Sequence, residues 1–211
     1  MKDIWSVVHA EREALIDFLG SLDDSQWDAP SLCPGWSVHD VVAHLVDTAK
    51  TTRVNFVTDL ARARFSFDRQ NANGVARERG TTPGETLERF RAVAGRTSTP
   101  PASKETRLVE AFIHGEDIRR PLGASGDYPL PAVEQALRYQ VKTPTSFGGA
   151  KDHVAGLKLV ADDMELSIGD GALVSGPASA LLVASSGRAT ALDDLDGPGV
   201  AELSRRIGAT A

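Results

Sequence analysis

The feature that most constrains the fold is a pair of ionisable residues on the apolar face of one amphipathic helix. Residues 103–123, SKETRLVEAFIHGEDIRRPLG, have helical spacing. Three residues set the ends of this helix, one as its cap and two as stop signals: Ser103, Pro121 and Gly123. Glu110 and His114 lie one turn apart, within roughly 40° of each other, among apolar neighbours. Because burying either group unpaired is costly, the helix predicts an intrahelical Glu–His pair or a metal site that lacks its third ligand.

A second helix offers a candidate for that third ligand. In residues 33–47, CPGWSVHDVVAHLVD, Ser37 is placed to cap a helix and Asp40 completes a capping box. His44 falls among the valines and leucine of the inner face, whereas His39 falls on another face and is not expected to be a ligand. A single histidine in such a place is typical of a hydrogen-bonded core residue. Two histidines and a glutamate from two helices instead resemble a catalytic zinc site with an open fourth position, and both interpretations stay open at this point.

Composition excludes several classes of function. The net charge of -6 over 211 residues argues against non-specific nucleic-acid binding, which relies on basic residues. No apolar run reaches the length of a bilayer span, and the charged N-terminal stretch reads as a helix, not a signal peptide. A single cysteine, Cys33, excludes an internal disulfide and suits a reducing cytoplasm. We interpret Cys33 as a small structural residue, with a reactive thiol as the alternative.

The first two thirds of the chain predict a helical bundle. Helices are expected over residues 3–22, from residue 37 to about residue 60, from Pro83 with Thr82 as its cap, and over residues 103–123. A fifth helix is expected over residues 131–143. The arginine-rich stretch at residues 62–82 predicts a long loop, whose cations are either solvated or available to an anionic substrate.

A change of composition after residue 143 predicts a second domain. Alternating apolar residues predict strands at 157–161, 164–168 and 172–175, followed by helices at 177–185 and 200–207. We therefore place a helical bundle at residues 1–147 and a small α/β domain at residues 148–211, which gives an α+β fold class. Neither a GxGxxG nor a P-loop pattern is present, so nucleotide cofactors have no support.

Three segments resemble the actinobacterial mycothiol-dependent maleylpyruvate isomerase family: CPGWSVHDVVAHL, EAFIHGEDIRRPLG and SGPASALLVASSGRATALDDLDGPGV. The resemblance implies a DinB-like four-helix bundle followed by that family's small C-terminal domain. It also implies a divalent metal, typically zinc, held by His44, Glu110 and His114, with the thiol mycothiol bound nearby. Glu116 departs from the Trp often found at this place in the family, which leaves the substrate undefined.

The chemistry that this resemblance implies uses an external thiol. Zinc with three protein ligands lowers the pKa of a thiol at its open position. A thiolate that adds to the activated double bond of maleylpyruvate lets the bond rotate before the thiol leaves. Asp47 and Asp117 are candidates for orienting the ligating imidazoles. Arg120 and Arg188 are candidates for binding substrate carboxylates.

Three hypotheses follow for the function. The first is a zinc- and mycothiol-dependent isomerase or thiol S-transferase that acts on a small electrophile in the cytoplasm, as a monomer or homodimer, without nucleic-acid or membrane partners. The second is a metal-dependent hydrolase with an activated water at the open position. The third is a non-catalytic metal-binding protein with the DinB-like bundle.

Overall fold

The structure is a computed structural model in which residues 3–208 are described. Its α-helices and strands are, in chain order, α1 Ile4–Gly20, α2 Asp24–Trp27, α3 Val38–Lys50, α4 Arg53–Arg62, α5 Phe67–Glu78, α6 Pro83–Val93, α7 Thr106–Arg119, α8 Leu130–Gln140, β1 Leu157–Ala161, β2 Ser167–Ile168, β3 Ala172–Gly176, α9 Ala178–Ser185 and α10 Val200–Arg206. Short 3-10 turns follow α7, α8 and α9. Within this described part, no helix has both the length and the apolar composition that a membrane span requires.

The described chain divides into two compact units. The N-terminal unit comprises residues 3–107 and 114–126, and the C-terminal unit comprises residues 108–113 and 127–208. Helix α7 contributes residues to both units, and α8 belongs to the C-terminal one. The predicted boundary between residues 147 and 148 separates domains that fold independently. Compact units do not test independent folding, so this boundary remains a prediction. The outer ends of the predicted domains, residues 1–2 and 209–211, lie outside the described residues.

Helices α1, α3, α6 and the C-terminal half of α7 share one apolar core in the N-terminal unit. Their buried side chains include Leu15, Ile16, Leu19, Val38, Val41, Val42, Leu45, Phe90, Val93 and Ile118. Local signals fix where two of these helices begin. Ser37 and Asp40 form the predicted capping box at α3, and Thr82 caps α6 through the backbone N–H of Glu85. The predicted fold class, a helical bundle with a small α/β part, is confirmed.

The predicted helix from residue 37 to about residue 60 is wrong in its second half. Helix α3 ends at Lys50, Thr51 is extended, and a new helix, α4, begins after Thr52. The Thr52 hydroxyl accepts from the backbone of Asn55, and the Asn55 side chain accepts from the backbone N–H of Thr52. This capping box competes with continued helix, because it satisfies the backbone groups that a helix start leaves without partners.

The loop predicted at residues 62–82 is also wrong, because most of it is helix α5. Ser66 caps α5, and two ion pairs attach the helix to α3: Arg77 with Asp47, and Lys50 with Glu78 at 2.6 Å. A polar helix of this kind gives a weak periodic signal, since tertiary ion pairs and not a broad apolar face hold it in place.

The start of α7 differs from the prediction as well. The helix begins at Thr106, with Glu105 at the N-cap position and no side-chain cap. The Ser103 hydroxyl bonds to the Glu105 carboxylate instead, so Ser103 is not the predicted cap. The predicted end is close to the observed one: α7 ends at Arg119, and the 3-10 turn that follows, Arg120–Leu122, ends at Gly123 with φ +73°.

The C-terminal unit contains a three-stranded sheet with the order β2-β1-β3. β1 pairs parallel with β3 and antiparallel with β2. Side chains of β1 alternate between buried and less buried, as predicted for a half-buried strand. The strand predicted at 164–168 is reduced to Ser167–Ile168, because Leu166 N–H bonds back to the Met164 carbonyl in a tight turn. Helix α9 packs on β1, β3 and α8.

Candidate metal centre

The first component of the site is His44, which α3 places in the core of the N-terminal unit. The side chains around it on α3 are fully or nearly fully buried, and His44 itself is only 7% exposed. The Trp36 ring lies 5.2 Å from the His44 ring, centroid to centroid. The prediction that His44 faces inward is therefore confirmed.

His114 of α7 is the second component, and the structure brings it against His44. The two imidazole rings meet edge to face, with an interplanar angle of 81° and their centroids 4.9 Å apart. These residues are 70 positions apart in the sequence. Because His44 is buried and His114 is largely buried, their ring nitrogens need polar partners, since an unsatisfied buried nitrogen is costly.

His44 is the residue with an unsatisfied nitrogen. Its Nδ1 is buried, and the described part of the chain offers that atom no hydrogen-bond partner. Burial holds the pKa of His44 well below its ordinary value, and the charges of His114 and Arg107 lower it further. A neutral imidazole with an unsatisfied nitrogen is the form in which histidine ligates a metal, so His44 fits a metal centre.

His114 is oriented by a carboxylate. Its Nδ1 lies 2.9 Å from Oδ2 of Asp117, one turn later on α7, and the Asp117 side chain is fully buried. Because a carboxylate only accepts, Nδ1 of His114 carries the proton and donates. This is the arrangement in which a ligating histidine uses its other nitrogen for the metal, and it places Asp117 in the orienting role proposed from the sequence.

Cys33 completes this cluster. Its Sγ donates to Oδ2 of Asp117 at 3.1 Å and lies 3.8 Å from Nδ1 of His114. Burial opposes protonation of His114, but the hydrogen bonds to Asp117 and Cys33 outweigh it and raise the pKa of His114 to about 10. Without a metal this imidazole is therefore a cation near neutral pH, and a metal at Nε2 would have to displace the proton on that nitrogen. Cys33, His114 and Asp117 together offer three donor atoms within 4.8 Å of one another, a spacing that can hold a metal ion. The interpretation of Cys33 as only a small structural residue therefore misses its polar contacts.

The remaining predicted ligand, Glu110, lies one turn before His114 on α7. The helix is continuous between the two residues, so the predicted spacing is confirmed. Its role as a ligand stays a prediction.

The other candidate residues have identifiable contacts. Asp47 pairs with Arg77 of α5, and its role in orienting an imidazole stays a prediction. Arg120 Nε donates to Oε2 of the buried Glu116 at 2.7 Å, and the other Glu116 oxygen accepts from Gly126 N–H at 2.7 Å. Arg188 Nη1 donates to the carbonyl of Ser186 at 2.7 Å, at the end of α9.

His39, which is not expected to be a ligand, has a hydrogen-bond partner in the core. It is buried at 2% exposure, and its Nε2 lies 2.6 Å from the Thr86 hydroxyl, which also accepts from the backbone N–H of Gly80. Its ring meets Trp27 edge to face, with centroids 5.6 Å apart. His39 is thus a hydrogen-bonded core histidine, in contrast to His44 five positions later.

Comparisons with known proteins identify a related domain and a shared fold. Residues 8–105 match the family described as the mycothiol maleylpyruvate isomerase N-terminal domain. Two solved structures are similar over most of the chain: a crystal structure of the mycothiol-dependent maleylpyruvate isomerase and one of a histidine-to-alanine mutant of that enzyme. Each covers 92% of this chain and 91% of its own, with a TM-score of 0.62 and 17% sequence identity, which establishes a shared fold. No curated protein matches at a significant level.

Proposed function

The N-terminal part of this chain belongs to the mycothiol maleylpyruvate isomerase family, and from that premise we propose that the protein is a metal-dependent enzyme using a small thiol. The reaction class is cis–trans isomerisation, or S-transfer, on a small electrophilic substrate. Mycothiol is the thiol proposed, by family membership. Zinc is the metal proposed, since imidazole and carboxylate donors suit it.

The observation that carries this proposal is the contact between His44, which is buried, and His114, which is partly buried. The rings lie 4.9 Å apart, His44 Nδ1 has no hydrogen-bond partner among the described residues, and His114 is already oriented by Asp117. A purely structural histidine pair would be expected to satisfy its nitrogens internally, as His39 does with Thr86.

We propose that His44, Glu110 and His114 hold the metal. When bound, the metal lowers the pKa of a thiol and so makes a thiolate available near neutral pH. Asp117 keeps the proton of His114 on Nδ1. The buried apolar side chains of α3 leave the His44 imidazole only 7% exposed, which limits the access of water to that ligand.

Substrate binding is proposed for Arg120 and Arg188. A guanidinium matches a carboxylate with two parallel N–H donors. Glu116 fixes the direction of the Arg120 guanidinium through its 2.7 Å hydrogen bond. An anionic substrate such as maleylpyruvate would use such cations to bind.

The experiment that tests this function combines metal analysis with activity at a defined thiol concentration. We expect up to one zinc ion per chain, and conversion of maleylpyruvate only when mycothiol is added. Turnover of hydrolysable esters or amides without any thiol would favour a hydrolase instead. Bound zinc without turnover of either substrate class would show a non-catalytic metal-binding protein.

A further inference from the structure

The polar contacts of Cys33 form a chain that ends at a proposed metal ligand. The Cys33 thiol donates to Oδ2 of Asp117 at 3.1 Å, and the same oxygen accepts from Nδ1 of His114 at 2.9 Å. Asp117 is fully buried, so its carboxylate depends on protein donors and not on bulk water. The thiol is one of the donors that hold this carboxylate against the imidazole.

The loop before α3 holds the thiol in place from both sides. The Ser31 hydroxyl accepts from Cys33 N–H at 3.1 Å, and Trp36 N–H donates to the Cys33 carbonyl at 3.0 Å. The neighbouring Leu32 N–H donates to the backbone carbonyl of Asp117 at 3.1 Å, which ties this loop to α7. The contact between Cys33 and Asp117 is thus built by the backbone of two elements.

From this arrangement we propose that Cys33 is a positioning residue of the metal centre. Its thiol fixes the carboxylate of Asp117, which in turn fixes the tautomer and direction of His114. This inference rests on the proposed function, because it assigns His114 to the metal. Direct ligation by Cys33 fits less well, since the distances of Oδ2 to Sγ and Nδ1 are hydrogen-bond lengths, shorter than the about 3.5 Å between donors around a tetrahedral zinc.

Zinc affinity measured by chelator competition tests the role of the thiol. We expect Cys33→Ala to weaken zinc binding by up to about tenfold, the low end of the cost of losing a ligand's own hydrogen-bond partner, because Cys33 acts on His114 through Asp117. Cys33→Ser keeps a hydrogen-bond donor and should recover most of the affinity. Ser25→Ala is the control, because it removes an exposed hydrogen bond to Asp23 and leaves the contacts of Cys33 in place, and it should bind zinc as the unchanged protein does. Unchanged affinity in Cys33→Ala would overturn the inference, as would an equal loss in Ser25→Ala.

Two spectroscopic measurements separate this role from the alternatives. Since the chain has one cysteine, its infrared S–H stretching band reports on Cys33 alone. In Asp117→Asn the band should move to higher frequency, because an amide is a weaker acceptor than a carboxylate. A sulfur-to-metal charge-transfer band in the cobalt-loaded protein would overturn the inference by making Cys33 a ligand. If the unchanged protein takes up no metal, the proposed metal function fails. The S–H band still tests the contact between Cys33 and Asp117, and a band at the same frequency in Asp117→Asn and in the unchanged protein would overturn that contact too.

Discussion

At the scale of single residues, α3 supplies its own control for the metal site. His44 and His39 are both buried on this helix, but within residues 3–208 only His39 has a hydrogen-bond partner on a ring nitrogen, Thr86. We expect His44→Ala to lose bound zinc and His39→Ala to retain it, because only the first removes a proposed ligand. Metal content of the purified variants, by atomic emission, checks this.

His39→Ala should instead lose stability, by roughly 1–3 kcal/mol, because it leaves the Thr86 hydroxyl without its imidazole partner. Urea unfolding of both variants gives this second readout. Stoichiometric zinc in His44→Ala would show that the proposed ligand set is wrong.

A second residue-scale prediction concerns Glu11, which forms a buried pair with Arg119 at 2.5 Å. Burial raises the pKa of Glu11 from 4.5 to about 7, although Arg119 opposes the shift. Between those two values the folded protein binds more protons at Glu11 than the unfolded chain does. The contribution of Glu11 to the free energy of unfolding is therefore fully present below pH 4.5 and is lost as the pH rises through 7.

Glu11→Gln removes this titration, so the stability of the unchanged protein relative to the variant should fall by on the order of 3 kcal/mol from about pH 5 to about pH 8. Urea unfolding across that range measures the difference in the free energy of unfolding between the two proteins. The contributions of the other titrating groups are the same in both and cancel. Parallel stability curves would contradict the assignment.

At the scale of elements, Arg188 lies at the C-terminal end of helix α9, where a cation can have a capping role, a substrate-binding role or both. The bond from Arg188 Nη1 to the Ser186 carbonyl caps the end of α9, and a guanidinium has five N–H donors, so capping and substrate binding are compatible. We expect Arg188→Ala to lower turnover about ten- to a hundredfold with metal content intact, the effect of losing a charged contact to substrate.

Arg205→Ala is the matched control for that prediction. Arg205 is an exposed cation of the same unit, paired with Glu202 on α10. The variant Arg205→Ala should leave turnover unchanged. If Arg188→Ala costs only a little stability and keeps its kinetics, capping is the whole role of Arg188.

The same scale shows what the sequence could predict. Helices α3 and α6 begin where Ser37 and Thr82 predict, since a capping residue acts within its own first turn. The sequence does not indicate helix α5, because ion pairs to α3 hold this helix in place and such tertiary contacts leave no local pattern. The contacts of Cys33 with His114 and Asp117 span 81 and 84 positions, so no local pattern indicates them. His44 and His114 were predicted because both lie on apolar helix faces, where a polar side chain requires a partner.

At the scale of the whole molecule, the place of α8 determines where the chain divides. In the structure α8 packs against α9, and its side chains Ala132, Val133, Ala136 and Leu137 are buried in the C-terminal unit. Gln140 adds polar contacts: its Nε2 donates to the Gly148 carbonyl at 2.9 Å and to the Ser186 hydroxyl at 3.0 Å. A boundary between residues 147 and 148 would separate α8 from these partners.

The fragment 148–211 therefore should not fold by itself. Cutting at residue 148 exposes the apolar surface of α9 that α8 covers, in a unit of roughly 60 residues, a size at which burial is already marginal. The fragment 127–211 retains α8 and should show more helix per residue in circular dichroism and better dispersed amide resonances. It still lacks residues 108–113, including Phe112, whose ring lies 4.5 Å from that of Tyr128, so it should remain less stable than the full chain. Cooperative unfolding of 148–211 alone would instead support the boundary predicted from the sequence, because it would show that β1–β3 and α9 bury enough apolar surface without α8.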